Sequence, residues 1–341
     1  MKLLIFTDNH FCTNSSIIKR IGTKYSIRLE NQIKSINWLE DLAKQKGCGT
    51  IICLGDFFDK PDLTEQEITA IRDINWSNIP HLFLVGNHES TGADLAYNST
   101  KILEGKDRFI INTPEVITLN KIEFCFLPYI SEIDRKPLNE YFPERTELPR
   151  VILSHNDIKG IQMGPVMSKF GFDINEIDNS CDLFINGHLH NGQKVSEVAL
   201  NLGNLTGKDF GEDASKYSHN VLIIDTDTFS CEFIENPHAF NFYKVNVEEE
   251  KDILQLKNLK SNAVVSIKCS DKLIEQTREA IANNPKIIES RLSIIKSIDI
   301  STTTADIADL SLDHIAKFIE CCHENIENTE TLEQELAIIC R

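Results

Sequence analysis

No run of about 18 apolar residues occurs in this 341-residue sequence, so it offers no candidate membrane-spanning helix. The apolar stretch in the opening MKLLIFTDNH is short and meets charge at once, unlike a signal peptide. A cytoplasmic protein with no membrane partner is therefore expected. The ten cysteines never form a C-x-x-C pair, which argues against a zinc knuckle or a dithiol redox motif. Several lie in apolar runs such as TIICLGD and IEFCFLP, where cysteine behaves as a small buried hydrophobe, and reduced structural thiols are the expectation. Low-complexity tracts and short-period repeats are also missing, so disorder is not expected. Basic residues are scarce: 35 Lys and Arg stand against 52 Asp and Glu, a formal net charge of −17. That balance argues against broad, nonspecific adhesion to nucleic acid, because phosphate contacts need clustered cations. A nucleic-acid substrate stays open, since bound divalent cations reverse the local sign at a carboxylate-rich site and a partner subunit can supply basic surface.

What is present is a soluble globular composition, 41% hydrophobic and 26% charged, over a length that suits a catalytic domain and a smaller appended one. Apolar runs of four to six residues recur and end abruptly in polar residues: KLLIFTD, TIICLGD, HLFLVGN, RVILSH and CDLFINGH. Such runs suit strands covered on both faces. Between the first two, Leu29, Ile33, Ile36 and Leu39 have helical spacing within a helix predicted from Ser26 to Gln45 and closed near Gly47. From about residue 195 shorter alternating strands follow, in VSEVALNLGN, HNVLIIDTDT and FSCEFIENP, which predict a second sheet packed on the first. The fold class expected is α/β, a four-layer αββα sandwich over residues 1–236. After Asn236-Pro237 the chain starts again with strands in FYKVNVEE, AVVSIKCS and SRLSIIKSI and a helix from Lys272 to about Asn283, a small α+β domain over 237–300. Residues 301–341 read as a polar linker and C-terminal helices. There Leu312, Ile315, Ile319, Cys322 and Ile326 form a heptad-like seam that suits either a helix docked on its own domain or one that grips a partner.

Five of the ten histidines fall at or just after predicted strand ends, each beside a carboxylate, an amide or a glycine. The groups are Asp8 and His10 in TDNH, Asp56 in GDFFD, Asn87 and His88 in GNHE, His155 in SHND, and His188 with His190 in GHLH. In open α/β sheets the crevice outside the carboxyl ends of the strands is where ligands bind, so residues far apart in sequence converge there. Residues i and i+2 of a D-x-H or H-x-H pair can reach one ion. Imidazole, carboxylate and amide oxygen together suit Mn²⁺, Fe²⁺ or Zn²⁺ rather than Ca²⁺, which prefers oxygen alone. Asp56 is the natural bridge, because one carboxylate can give an oxygen to each of two ions about 3.5–4 Å apart. Gly55, Gly86 and Gly187 would let backbone pass close by.

The ordered set D-x-H, GDxxD, GNHE, a lone histidine after a strand, then GHxH resembles the calcineurin-like metallophosphoesterase superfamily over about residues 1–235. The resemblance implies two divalent cations, most readily Mn²⁺ with Fe²⁺ or Zn²⁺ as substitutes. One would be held by Asp8, His10, Asp56 and His190, the other by Asp56, Asn87, His155 and His188. It also implies a catalytic pair: His88 as general acid near the leaving oxygen, and Asp59 behind the ligands rather than on an ion.

Further stretches are similar to the nuclease subunit of the SbcCD type: RLENQIKSINWLEDLAKQKG, GDFFDKPDLT and LGNLTGKDFGED, with the small domain and terminal helices in the same order. That likeness implies a DNA exonuclease and endonuclease of repair, recombination or replication, acting on DNA ends. It further implies an SbcC-like coiled-coil ATPase partner, docked through the C-terminal helices, and a homodimer. Here the sequence departs by carrying Asn9 where an aromatic often sits and by its acidity. A phosphatase or phosphodiesterase for a small-molecule or protein substrate is the alternative within the superfamily. A silent scaffold with a vestigial site is the alternative outside enzymes, and it fits poorly with every ligand position being filled.

Overall fold

The structure is a computed structural model that describes residues 1–17, 22–92, 94–163 and 166–295. The predicted C-terminal helices and their heptad-like seam lie outside the described residues. In the first half the strands are β1 Lys2–Phe6, β2 Cys48–Cys53, β3 His81–Leu84, β4 Arg108–Ile111, β5 Glu115–Leu119, β6 Ile122–Leu127 and β7 Arg150–Ser154. There follow β8 Gln162–Met163, β9 Val166–Met167, β10 Leu183–Asn186, β11 Gln193–Lys194, β12 Ala199–Asn201, β13 Asn220–Asp225 and β14 Ser230–Glu235. Then come β15 Asn241–Val247, β16 Ala263–Ser270 and β17 Ile287–Ile295. The α-helices are α1 Ile27–Lys46, α2 Glu65–Ile71, α3 Ile174–Ser180 and α4 Ile274–Ala282. None among the described residues is long and apolar enough to cross a membrane.

Two six-stranded sheets form the body, in the orders β14-β13-β1-β2-β3-β4 and β11-β12-β10-β7-β6-β5. β1 to β4 run parallel, as do β6, β7, β10 and β12, so their carboxyl ends gather on one side of each sheet. Successive side chains of a strand point to opposite faces. Leu3 and Ile5 of β1 therefore enter one core with Phe124, Phe126, Val151 and Leu153 of the second sheet, while Leu4 and Phe6 enter another with Leu29, Ile36 and Leu39 of α1. A third core packs Ile152 and Phe184, on the outer face of the second sheet, against Ile177 of α3. Helix, sheet, sheet, helix is the resulting four-layer α/β sandwich. Each fully buried Leu, Ile or Phe contributes about 1.5–3 kcal/mol, so these cores can support loops of unfavourable backbone shape at the strand ends.

The late strands do not build a sheet of their own, as their sequence pattern suggests. Instead β13 pairs antiparallel with β1, Lys2 opposite Asp225, and β14 follows it, while β12 joins β10 in the second sheet. Helix α1 begins and ends where its caps dictate. The Ser26 side chain accepts from the Leu29 N–H at 3.3 Å, and Gly47 adopts φ 67° with its N–H on the Ala43 and Lys44 carbonyls. Such an N-cap contributes about 1 kcal/mol. The helix also reaches the first loop: the Gln32 amide donates to the Asn9 and His10 carbonyls, both at 2.6 Å, and accepts from the Cys12 N–H at 3.2 Å. A ladder of buried asparagines ties the ends of β7 and β10. Asn156 N–H donates to Asn186 Oδ1 at 3.1 Å, and Asn186 Nδ2 returns to the Asn156 carbonyl at 2.8 Å.

β15, β16 and β17 form a three-stranded sheet. Val245, Val247, Val265 and Ile267 pack there with Ile274 of α4. Its other face carries Phe242 and Val264 against Ile17 and Phe210. The loop between β12 and β13 is hydrogen-bonded to the start of β15, Gly207 N–H to the Phe240 carbonyl just before the strand at 3.1 Å and Ala214 N–H to the Phe242 carbonyl at 2.9 Å.

Candidate metal centre

The loops leaving β1, β2, β3, β7 and β10 meet outside the carboxyl ends of both sheets, and all seven predicted ligand side chains lie there. The first two loops are laced together: Asp8 N–H donates to the Gly55 carbonyl at 3.1 Å and His10 N–H to the Asp56 carbonyl at 2.9 Å. Turning the side chains inward requires left-handed backbone at Asp8 (φ 50°), His10 (47°), Asp56 (49°) and His188 (72°). Half of the eight non-glycine residues of positive φ among the described residues are thus in one pocket, where convergence rather than folding demands the strain. Gly55, at φ 124°, has no room for a Cβ against the His155 ring, and a Cβ on Gly86 would meet the Asp56 carboxylate.

Among the described residues the donors form Asp8 with His10 and His190, then Asp56 with His155 and His188, and a third group of His10, Asp56 and His88 that shares a residue with each. Asp56 stands between them, its Oδ2 at 3.8 Å from His10 Nε2 and 3.3 Å from His155 Nε2, while its Oδ1 accepts from the His88 N–H at 3.0 Å. Asn87 Oδ1 joins the second group, 2.9 Å from His188 Nδ1 and 3.3 Å from His155 Nε2. His88 sits at the mouth, Nδ1 2.9 Å from the Asp59 carbonyl and Nε2 4.0 Å from Asp56 Oδ2. Asp59 is behind the ligands, its Oδ1 3.0 Å from His10 Nδ1 and accepting from Lys208 Nζ at 2.6 Å.

The donors fit divalent cations. Asp8 Oδ2 accepts from Thr7 Oγ1 at 2.6 Å and from the His188 N–H at 2.9 Å, whereas Oδ1 is buried with no hydrogen-bond partner. His10 Nδ1 faces the Asp59 carboxylate, and His190 Nδ1 faces Glu212 Oε1 at 3.1 Å. A carboxylate only accepts, and the Asp59 oxygen at 3.0 Å is nearer His10 Nδ1 than the Lys208 ammonium at 3.4 Å, so both Nδ1 atoms are assigned the ring proton and the two Nε2 lone pairs confront each other at 2.9 Å. A cation shared by those nitrogens and the orphaned Asp8 oxygen relieves both defects.

The electrostatics agree. Burial lowers the His10 pKa to about 4 against the opposing pull of Asp59, leaving the neutral imidazole that a metal needs. Burial would also lower His155, but Asp56 outweighs it and holds the proton up to about 9. Asp56 itself lies well below the usual carboxylate range, because the neighbouring His155, His10 and His88 overcome the opposite effect of burial. In the absence of cations, the proton held on His155 compensates the Asp56 carboxylate charge.

Sequence reasoning missed a supporting layer. Buried Glu212 orients His190 and is itself held by Asn204 Nδ2 at 2.8 Å and by the Lys208 N–H. Asp157 Oδ1 lies 3.3 Å from His188 Nε2, directing Nδ1 inward. Glu89, the last residue of GNHE, accepts from the N–H groups of Gly86, Asp56 and Phe58 and so pins the second and third loops together. Its presence in that motif was the available signal; Glu212 and Asp157 gave none beyond lying near other site residues in sequence.

The calcineurin-like phosphoesterase family matches residues 1–192. The probable exonuclease subunit 1 of Escherichia phage T5 is 24% identical over 264 residues, 70% of this chain and 77% of that protein. Among solved structures, a dimetal phosphatase from Danio rerio aligns over 65% of this chain and 91% of its own, at 12% identity and a TM-score of 0.39. The calcineurin-like phosphoesterase YfkN of Bacillus subtilis aligns over 69% and 88%, at 12% identity and a TM-score of 0.33.

Proposed function

The chain belongs to the calcineurin-like phosphoesterase family, a hydrolase fold for phosphoesters, and from that premise we propose that it is a metal-dependent nuclease that cleaves phosphodiester bonds of DNA. The observation that carries the chemistry is Asp56 Oδ2, set between two groups of donors. In this reading Asp8, His10, Asp56 and His190 hold one cation, and Asp56, Asn87, His155 and His188 hold the other. Mn²⁺ is the first choice of metal. When bound, the pair activates water and neutralises charge on the phosphoryl oxygens. His88, as imidazolium, donates Nδ1–H to the Asp59 carbonyl and keeps its Nε2 proton for the leaving oxygen. Asp59 and Glu212 hold the ligand histidines in the tautomer that presents Nε2.

Support for DNA as substrate comes from the relative in phage T5, named as an exonuclease subunit, and from the stretches similar to SbcD-type nucleases. A subunit implies company. We assign residues 237–300 to the DNA-facing cap and 301–341 to docking on an SbcC-like ATPase, with the nuclease acting as a dimer. The test is incubation of the purified chain with linear DNA and Mn²⁺, beside His88→Ala. Degradation by the wild type, with a loss of about 10²- to 10⁴-fold in the variant at unchanged metal content, is expected. Rapid hydrolysis of small phosphomonoesters with DNA left intact, even beside an ATPase partner, would replace the nuclease reading by a phosphatase one.

A further inference from the structure

Resting on the nuclease reading, we propose that the loops following β6 and β7 form a track for the phosphate backbone of a nucleic-acid strand leading to the metal centre. Lys136, Lys159 and Lys169 would contact the phosphates, and Phe170 would stack under a base. The three lysines line a shallow depression of about 390 Å³ together with Phe172, over whose ring Arg135 stacks at 5.4 Å, and Phe170 lies in the chain between the lining residues Lys169 and Gly171.

The depression is built from connected parts. Phe172 N–H donates to the Asp157 carbonyl and Lys159 N–H to the Phe172 carbonyl, both at 3.0 Å, so the two arms of the β7 loop are zipped together. Gly171 N–H donates to Glu132 Oε2 at 3.3 Å, which joins them to the β6 loop. The zipper starts at the site itself, since Asp157 touches His188. Lys159 is two residues further on, within about 7 Å of Asp157 along an extended chain.

Charge singles the depression out in a chain of net −17. Its three acidic residues are each engaged by a protein group, with Glu132 and Asp173 still exposed: Glu132 pairs with Arg135, Asp173 accepts from the Asn175 N–H at 3.0 Å, and Glu176 accepts from the Leu138 N–H. Lys136, Lys159 and Lys169 are exposed, and none has an acidic partner within 4 Å among the described residues. Beside them Phe170 is 59% exposed and Ile133 94%. Uncompensated cations interleaved with an exposed aromatic suit a single strand, which offers phosphates and unstacked bases together.

The test uses the full chain and a fluorescent oligothymidylate, with binding read by anisotropy in EDTA between 50 and 200 mM salt. Changing all three lysines to glutamine (K136Q, K159Q, K169Q) should weaken binding at least tenfold at the low-salt end. It should also flatten the slope of log affinity against log salt by about 2, as loss of three single-strand phosphate contacts requires. Phe170→Ala should weaken binding about tenfold with the slope unchanged. Hydrolysis of bis(p-nitrophenyl) phosphate with Mn²⁺ should match wild type in both variants, which shows the centre intact. Equal affinity and slope in wild type and the lysine variant, or no binding by wild type, overturns the track. Binding with the expected slopes but no cleavage of DNA under Mn²⁺ overturns the nuclease reading and leaves the track standing.

Discussion

At the scale of single residues, the centre is a set of lone pairs aimed at one another by carboxylates placed behind them. Glu212 shows the principle: its Oε1 fixes the His190 proton on Nδ1 and so commits Nε2 to the pocket. Glu212→Gln keeps the shape but can present its amide N–H₂ to the ring and favour the wrong tautomer. Mn²⁺ affinity, measured by isothermal titration, is expected to fall about 10- to 100-fold, and an unchanged affinity would remove Glu212 from the centre. The candidate ligands were legible because each sits in a short motif at the exit of an apolar run. Glu212 was not, since it is one of many acidic residues and meets His190 only because the chain doubles back over 22 positions. Asp157 was hidden differently, two residues past His155 yet serving His188 on another strand.

At the scale of elements, strands with continuous apolar sequence end in loops that take left-handed backbone to turn their ligands inward. The covered parallel strands β1, β2, β3, β7 and β10 were readable because burial on both faces leaves no polar alternation. Helix α1 was readable from its spacing and its caps. The placement of β13 and β14 was not, because pairing Lys2 with Asp225 depends on a partner over two hundred residues away, and alternation alone does not say which sheet a strand joins. The third loop offers a test of how closely these turns are fitted. A Cβ on Gly86 would stand 2.6 Å from the Asp56 backbone nitrogen as well as against its carboxylate, so Gly86→Ala must shift the bridging residue. We expect at least a tenfold loss of Mn²⁺ affinity and destabilisation of about 1–3 kcal/mol, read by titration and by urea unfolding. Wild-type behaviour in both would mean the loop yields freely and Asp56 is not fixed by it.

At the scale of the molecule, neither sheet holds the centre alone. Asp8, His10, Asp56 and Asn87 follow strands of the first sheet, and His155, His188 and His190 follow strands of the second. Each proposed cation therefore draws ligands from both, so the site exists only once the two sheets are packed, and metal binding and folding are linked. The most direct measurement is an anomalous difference map at the manganese edge from crystals grown in Mn²⁺. Two peaks about 3.5–4 Å apart, with the Asp56 carboxylate between them and His190 and His188 on opposite peaks, are the predicted result. A single peak, or none among these side chains, would contradict the account.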